Sequence, residues 1–99
     1  MSTSKAIFAI HPGELLQTEF MEPLGITAYR LAKELHVPPP RINDVVRGKR
    51  SITADTAIRL GKFFGTSAQM WLNLQNDFDL RLASGRAAHK EVKPLRKTA

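Results

Sequence analysis

Arg41, Asn43, Asp44, Arg47, Lys49 and Arg50 fall within ten consecutive residues, and their types suit recognition of a nucleic acid. An arginine can pair with guanine through two hydrogen bonds and an asparagine with adenine. Each such pair discriminates by roughly 1–3 kcal/mol. Cations at the end of a short helix reach the sugar-phosphate backbone more readily than a base. Arg41 and Asn43 are therefore expected to read bases, and Arg47, Lys49 and Arg50 to hold phosphates. Pro39, Pro40 and Asp44 share the outward face with the two readers. Ile42, Val45 and Val46 complete the segment as its inward side.

Other chemistries find less support. Small basic ribonucleases use Lys, Arg and His without metals, but nothing here groups those residues about a nucleophile or an acid-base pair, and no glycine-rich phosphate loop is present. The chain is not expected to be an enzyme. His11, His36 and His89 are widely spaced and poor in neighbouring carboxylates, and there is no cysteine. Neither a metal site nor a cofactor is expected. Trp71, Leu74 and Phe78 could form a stacking platform for single strands, but an apolar stripe at helical spacing is more often core or interface. They are read as core plus dimer interface.

The elements that must carry these residues are helices, with no convincing strand pattern. Pro12 suits a first helical turn, and Leu15, Leu16 and Phe20 give an apolar face until Pro23, predicting a helix over 12–22. Thr27 is placed to cap a second over 28–35, with Leu31, Ala32 and Leu35 inward. After His36 and Val37, the prolines 38–40 open the third, which Gly48 closes. Thr53 caps a fourth that stops at Gly65, and Ser67 caps a fifth running to about Ala83. The expected fold is all-α, five helices with short loops, and its second and third helices have the outline of a helix-turn-helix between Thr27 and Arg50. Thr27 joins the DNA-facing set at the start of that unit.

Length and charge set the frame. Ninety-nine residues with 42% hydrophobic content supply one modest core. Residues 1–83 are expected to form the helix-turn-helix domain and 84–99 a solvated, flexible basic tail. Arg86, Lys90, Lys93, Arg96 and Lys97 against Glu91 give that tail +4 of the net +6. The pI of about 10.2 is thus weak evidence for DNA, and the Arg41 to Arg50 patch carries the argument. No apolar run approaches the roughly 18 residues of a membrane span, and Met1 to Ile10 lacks a secretory pattern. A cytoplasmic location is expected.

From Pro12 to about Gln75 the chain resembles the HigA-type (VapI-like) antitoxins of the XRE, or Cro/repressor-like, helix-turn-helix superfamily. The matching stretches are His11-Pro12-Gly13-Glu14-Leu15-Leu16, Glu22-Pro23-Leu24-Gly25-Ile26-Thr27, Asn43-Asp44-Val45-Val46-Arg47-Gly48-Lys49-Arg50, Arg59-Leu60-Gly61-Lys62-Phe63-Phe64-Gly65 and Trp71-Leu72-Asn73-Leu74-Gln75. The resemblance implies a compact lambda-repressor-like domain that forms a homodimer, binds a palindromic operator in duplex DNA and represses its own operon. It further implies neutralisation of a HigB-type toxin of the RelE-like ribonuclease class. A stand-alone repressor with no toxin partner is the alternative. The family commonly has Gly in the turn and Ser or Thr before the third helix, where this chain has His36 and Pro38. His36 is therefore expected to take a left-handed conformation. The prolines are expected to rigidify the start of the helix and to remove main-chain donors to phosphate. A basic toxin needs acidic contacts, and Glu14, Glu19 and Glu22 on the first helix are the expected toxin-facing residues.

Overall fold

Each helix begins and ends where local chemistry stops or starts the backbone ladder. The computed structural model describes residues 10–95, so the first nine residues, and Arg96 and Lys97 of the basic tail, lie outside the described residues. Five helices follow one another, with no strand among the described residues.

The first helix, α1, is built from three consecutive segments: α-helical Pro12–Leu15, π-helical Leu16–Met21 and α-helical Glu22–Leu24. Its end corrects the expectation that Pro23 stops it. The Glu22 N–H reaches back five residues to the Gln17 carbonyl, and this wide turn finishes just before Pro23. A proline in a regular α-helix lacks the N–H for the carbonyl four residues back and its ring strikes that group. Widening the preceding turn relieves that conflict, as π-bulges do elsewhere. The helix passes the proline and ends at Leu24, with Gly25 left-handed at φ 65°.

Helix α2 spans Ala28–Leu35, α3 Pro39–Val46, α4 Ala54–Phe64 and α5 Ala68–Ser84. Thr27, Thr53 and Ser67 cap α2, α4 and α5, each side-chain oxygen accepting the backbone N–H three residues on. A short 3₁₀ segment, Ala87–Glu91, follows α5. No described helix is long and apolar enough to cross a membrane.

The core is one cluster to which every helix contributes. Leu16 and Met21 from α1, Leu31, Ala32 and Leu35 from α2, Ile42 and Val45 from α3, Ala57 and Leu60 from α4 and Trp71 from α5 are all buried. Helix α3 is only eight residues long, too short to persist alone in water, so burial of Ile42 and Val45 must hold it. Trp71 is fully buried and donates its indole N–H to the Thr66 hydroxyl at 2.8 Å. The ring is thus committed to the core, one half of the role expected for it.

Candidate nucleic-acid interface

Helices α2 and α3 meet through a turn in which His36 is left-handed, at φ 61° and ψ 44°, the one non-glycine residue with positive φ among the described residues. The His36 N–H closes on the Lys33 carbonyl and the Val37 N–H on Ala32, so the turn ends α2 as a glycine would, with an imidazole in the glycine position. The side chain is exposed, which lets a bulky residue stand there at the cost of backbone strain alone.

Helix α3 starts without a free donor. Pro38 is its cap in extended geometry, with Pro39 and Pro40 in the first turn, so three of the positions that normally leave N–H groups unpaired have none. The next donor, Arg41 N–H, is taken by the Pro38 carbonyl at 3.0 Å. The N-terminal end of α3 therefore offers a phosphate no backbone hydrogen bond. What it presents instead is apolar and side-chain chemistry: Pro39, Pro40 and Asn43 are exposed, and Arg41 and Asp44 are half-buried.

The basic patch divides into two pairs. The Arg41 guanidinium does not project freely outward as expected; it turns along the surface to Asp55 in the first turn of α4, at 2.6 Å. Arg59 donates to the same carboxylate oxygen at 2.9 Å. The Arg59 hydrogen bond, then that from Arg41, holds the Asp55 carboxyl below the usual carboxylate range. Arg50 lies 3.5 Å from Asp44. Arg47 and Lys49, by contrast, are exposed and have no carboxylate partner among the described residues. Among the described residues, two cations at the exit of α3 thus have no acidic partner, and two flanking it are held by acids.

The exit of α3 is fixed by residues from far away in sequence. Gly13 packs so tightly against α3 that a Cβ there would sit 1.8 Å from the Val45 carbonyl oxygen. His11 caps α1, its Nδ1 accepting the Gly13 N–H at 2.9 Å, and its ring meets Phe78 edge-on with centroids 4.9 Å apart. Burial lowers the His11 pKa, while the Asp79 charge and a hydrogen bond to the Arg50 backbone act to raise it. Gln75, buried on α5, accepts the Ile52 N–H at 2.8 Å and donates to Asp79 at 3.0 Å. The loop carrying Lys49 and Arg50 is thereby tied at both flanks to α1 and α5. Sequence reasoning missed Gln75 and Asp55. The position of Gln75, four residues after Trp71 on the inward face, is the available sign for the first; Asp55 has the position of any first-turn acid, and nothing local points to Arg41.

The remaining expected residues are spread over other faces. Glu14, Glu19 and Glu22 are exposed along α1. Leu74 and Phe78 are half-buried on α5. Arg86, Lys90 and Lys93 are exposed beyond α5. Among the described residues, no cluster of three or more His, Asp or Glu side chains could hold a metal ion.

Known proteins share this arrangement. A family model described as helix-turn-helix matches residues 19–71. Virulence-associated protein I of Dichelobacter nodosus is 57% identical over 75 residues, which cover 76% of this chain and 69% of that protein. Antitoxin HigA-1 of Vibrio cholerae serotype O1 is 38% identical over 85 residues, covering 84% of this chain and 80% of that one. Among solved structures, Pseudomonas aeruginosa antitoxin HigA with the higBA promoter superposes with a TM-score of 0.81 at 46% identity, covering 89% of this chain and 99% of that chain. The short capped helices, the left-handed turn before α3 and these likenesses agree: the chain belongs to the XRE-type helix-turn-helix family, among the HigA-like antitoxins and VapI-like virulence-associated proteins.

Proposed function

We propose that this protein is a DNA-binding antitoxin that represses its own operon and neutralises a HigB-type, RelE-like ribonuclease toxin. The observation that carries the DNA half is α3 itself: its inward face is locked in the core, Pro39, Pro40 and Asn43 are exposed, and Arg47 and Lys49 at its exit have no carboxylate partner among the described residues. A relative of the same fold has been solved with promoter DNA. Helix α3 enters the major groove with Asn43 and Arg41 at base edges, Pro39, Pro40 and Asp44 beside them, and Thr27 at the flank. Arg47, Lys49 and Arg50 contact phosphates. Arg41 exchanges its Asp55 contact for a base as the groove closes over it, so the carboxylate holds the reader in place in the free protein. The protein has no catalytic role in this reading.

Two copies bind a palindrome with their α3 helices roughly 34 Å apart on one face of the duplex. With Trp71 buried, the dimer contact falls to Leu74, Phe78 and the distal part of α5, where Leu80 and Leu82 are exposed. The toxin contact is α1, where Glu14, Glu19 and Glu22 give a basic partner an acidic surface on an otherwise basic molecule. Co-expression with the adjacent gene, a pull-down and a footprint on the upstream DNA test the whole. Co-purification of a small basic protein and protection of a palindrome are expected; protection without any co-purifying partner would favour a stand-alone repressor. Within the DNA half, Arg47→Ala should weaken binding to all sequences and flatten the salt dependence by about 0.9 in log–log slope. Arg41→Ala should instead lower the operator-to-random ratio by roughly 10-fold or more, and an unchanged ratio would remove Arg41 from the readers. Reversing charge at Glu19 and Glu22 together should abolish toxin capture while sparing DNA binding.

A further inference from the structure

Between the first turns of α2 and α3 lies a shallow cleft of about 270 Å³, lined by Ala28, Tyr29, Pro39, Pro40, Asn43 and Asp44. From its chemistry we infer that this cleft seats the 5-methyl group of a thymine, which makes Tyr29 a specificity-determining residue together with Pro39 and Pro40. The inference deepens the DNA reading of α3 and rests on it.

A phosphate is the wrong occupant. No cationic side chain lines the cleft, the three prolines bring no N–H, and the Arg41 N–H is already bonded to Pro38. The Asp44 carboxylate in the lining, 3.5 Å from Arg50, offers an anion no donor. The walls are two pyrrolidine rings and the Tyr29 ring, which is 66% exposed although nothing in its own protomer's core needs it there. The floor of a B-DNA major groove presents hydrogen-bonding edges throughout, with one apolar feature, the methyl group of thymine. A mainly apolar cleft at the tip of a groove-reading helix matches that group in chemistry and has ample room for it. Asn43, on the same wall, is the side chain type that pairs with adenine N6 and N7, so amide and cleft together select A·T pairs at neighbouring steps. Proline rings are already fixed, so seating the methyl costs little ordering of the protein.

Uracil differs from thymine by the methyl alone and keeps the same hydrogen bonds, which makes it the probe. Full-length protein is used to select a binding duplex from a random library, and each thymine is then replaced singly by deoxyuridine while affinity is followed by fluorescence anisotropy. At one position in each half-site, loss of the methyl should weaken binding about fourfold. In Tyr29→Ala, whose exposed side chain is dispensable for folding, and in Pro40→Ala, the thymine-to-uracil ratio at that position should fall to near unity while other positions keep their wild-type ratios. Uracil tolerance at every position would overturn the inference with the DNA reading intact, as would a ratio unchanged in both variants. A selection that enriches no sequence would overturn the DNA reading itself and the cleft with it.

Discussion

At its start α3 has three prolines and no backbone donor left to satisfy, whereas at its exit it is pinned by groups from two other helices. The other capped helices handle their first turn differently: Thr27, Thr53 and Ser67 each supply a hydroxyl oxygen to an N–H three residues on. A capping hydroxyl satisfies a donor; a proline removes it. Both close the hydrogen-bond account of a helix end, but they leave different surfaces. A capped end remains polar and still carries N–H groups, while the proline end of α3 is rigid and apolar. At the exit the logic is packing and tethering, through Gly13 against Val45 and through His11 and Gln75 on either side of the Lys49–Arg50 loop. The helix is thus oriented from behind and left bare in front, which suits an element whose front must enter a groove.

The contrast can be broken most forcefully at the exit. Gly13→Ala places a Cβ 1.8 Å from the Val45 carbonyl oxygen, and since both partners are backbone, neither side can yield by a rotamer change. A loss of at least about 3 kcal/mol, or failure to fold, is expected in denaturant unfolding. A change under about 1 kcal/mol would mean that α1 does not hold the exit of α3.

A smaller effect separates the two kinds of helix start. Thr27→Ala should cost about 1 kcal/mol, because the Arg30 N–H loses its acceptor. Pro38→Thr should cost about 0.4–1 kcal/mol in thermal unfolding: the unfolded chain gains that freedom, and the new hydroxyl finds no unsatisfied N–H to cap, since Pro39 and Pro40 have none and the Arg41 N–H is already bonded to the carbonyl of residue 38. A loss beyond about 1.5 kcal/mol for Pro38→Thr would show that the proline does more than dispense with a donor.

The smallest effect is one of pH. Burial keeps the folded His11 pKa below its unfolded value, with Asp79 and the Arg50 backbone only partly opposing it. The unfolded chain therefore binds the proton more readily. The stabilisation is complete above the unfolded value, about 6.5, and is lost as pH falls through it toward the lower folded value. Protonation also takes from Nδ1 the lone pair that accepts the Gly13 N–H. Between pH 7.5 and 5.5 the wild type should lose stability relative to His11→Asn, which keeps a capping oxygen and does not titrate. Parallel pH profiles would remove His11 from the exit clamp.

The helix starts were legible in the sequence because they are decided within a few residues. Thr27, Thr53 and Ser67 precede apolar residues at helical spacing, and each caps the helix it was expected to cap. The left-handed His36 followed from the position of a turn that glycine ordinarily fills, and the inward Ile42 and Val45 from their spacing. The rule that Pro23 ends α1 was equally local and failed, because whether a helix can widen its preceding turn depends on what holds its flanks. Side-chain direction was less legible. Trp71 could be inward or at an interface on periodicity alone, and its burial depends on Phe20 and Phe64, which meet about it in the core.

By itself, then, the sequence determined the order and capping of the helices, the inward Ile42 and Val45 of α3 and the absence of main-chain donors at its start, since each follows from covalent structure and short-range patterning. Tertiary structure alone decided which cations are held by acids among the described residues. Arg41 reaches an acid 14 residues away and Gln75 a backbone N–H 23 residues away. Likewise Tyr29 and Pro40 form one cleft only because the left-handed turn folds α3 back beside α2. Distances of that kind are set by how helices pack, and packing depends on the whole core at once.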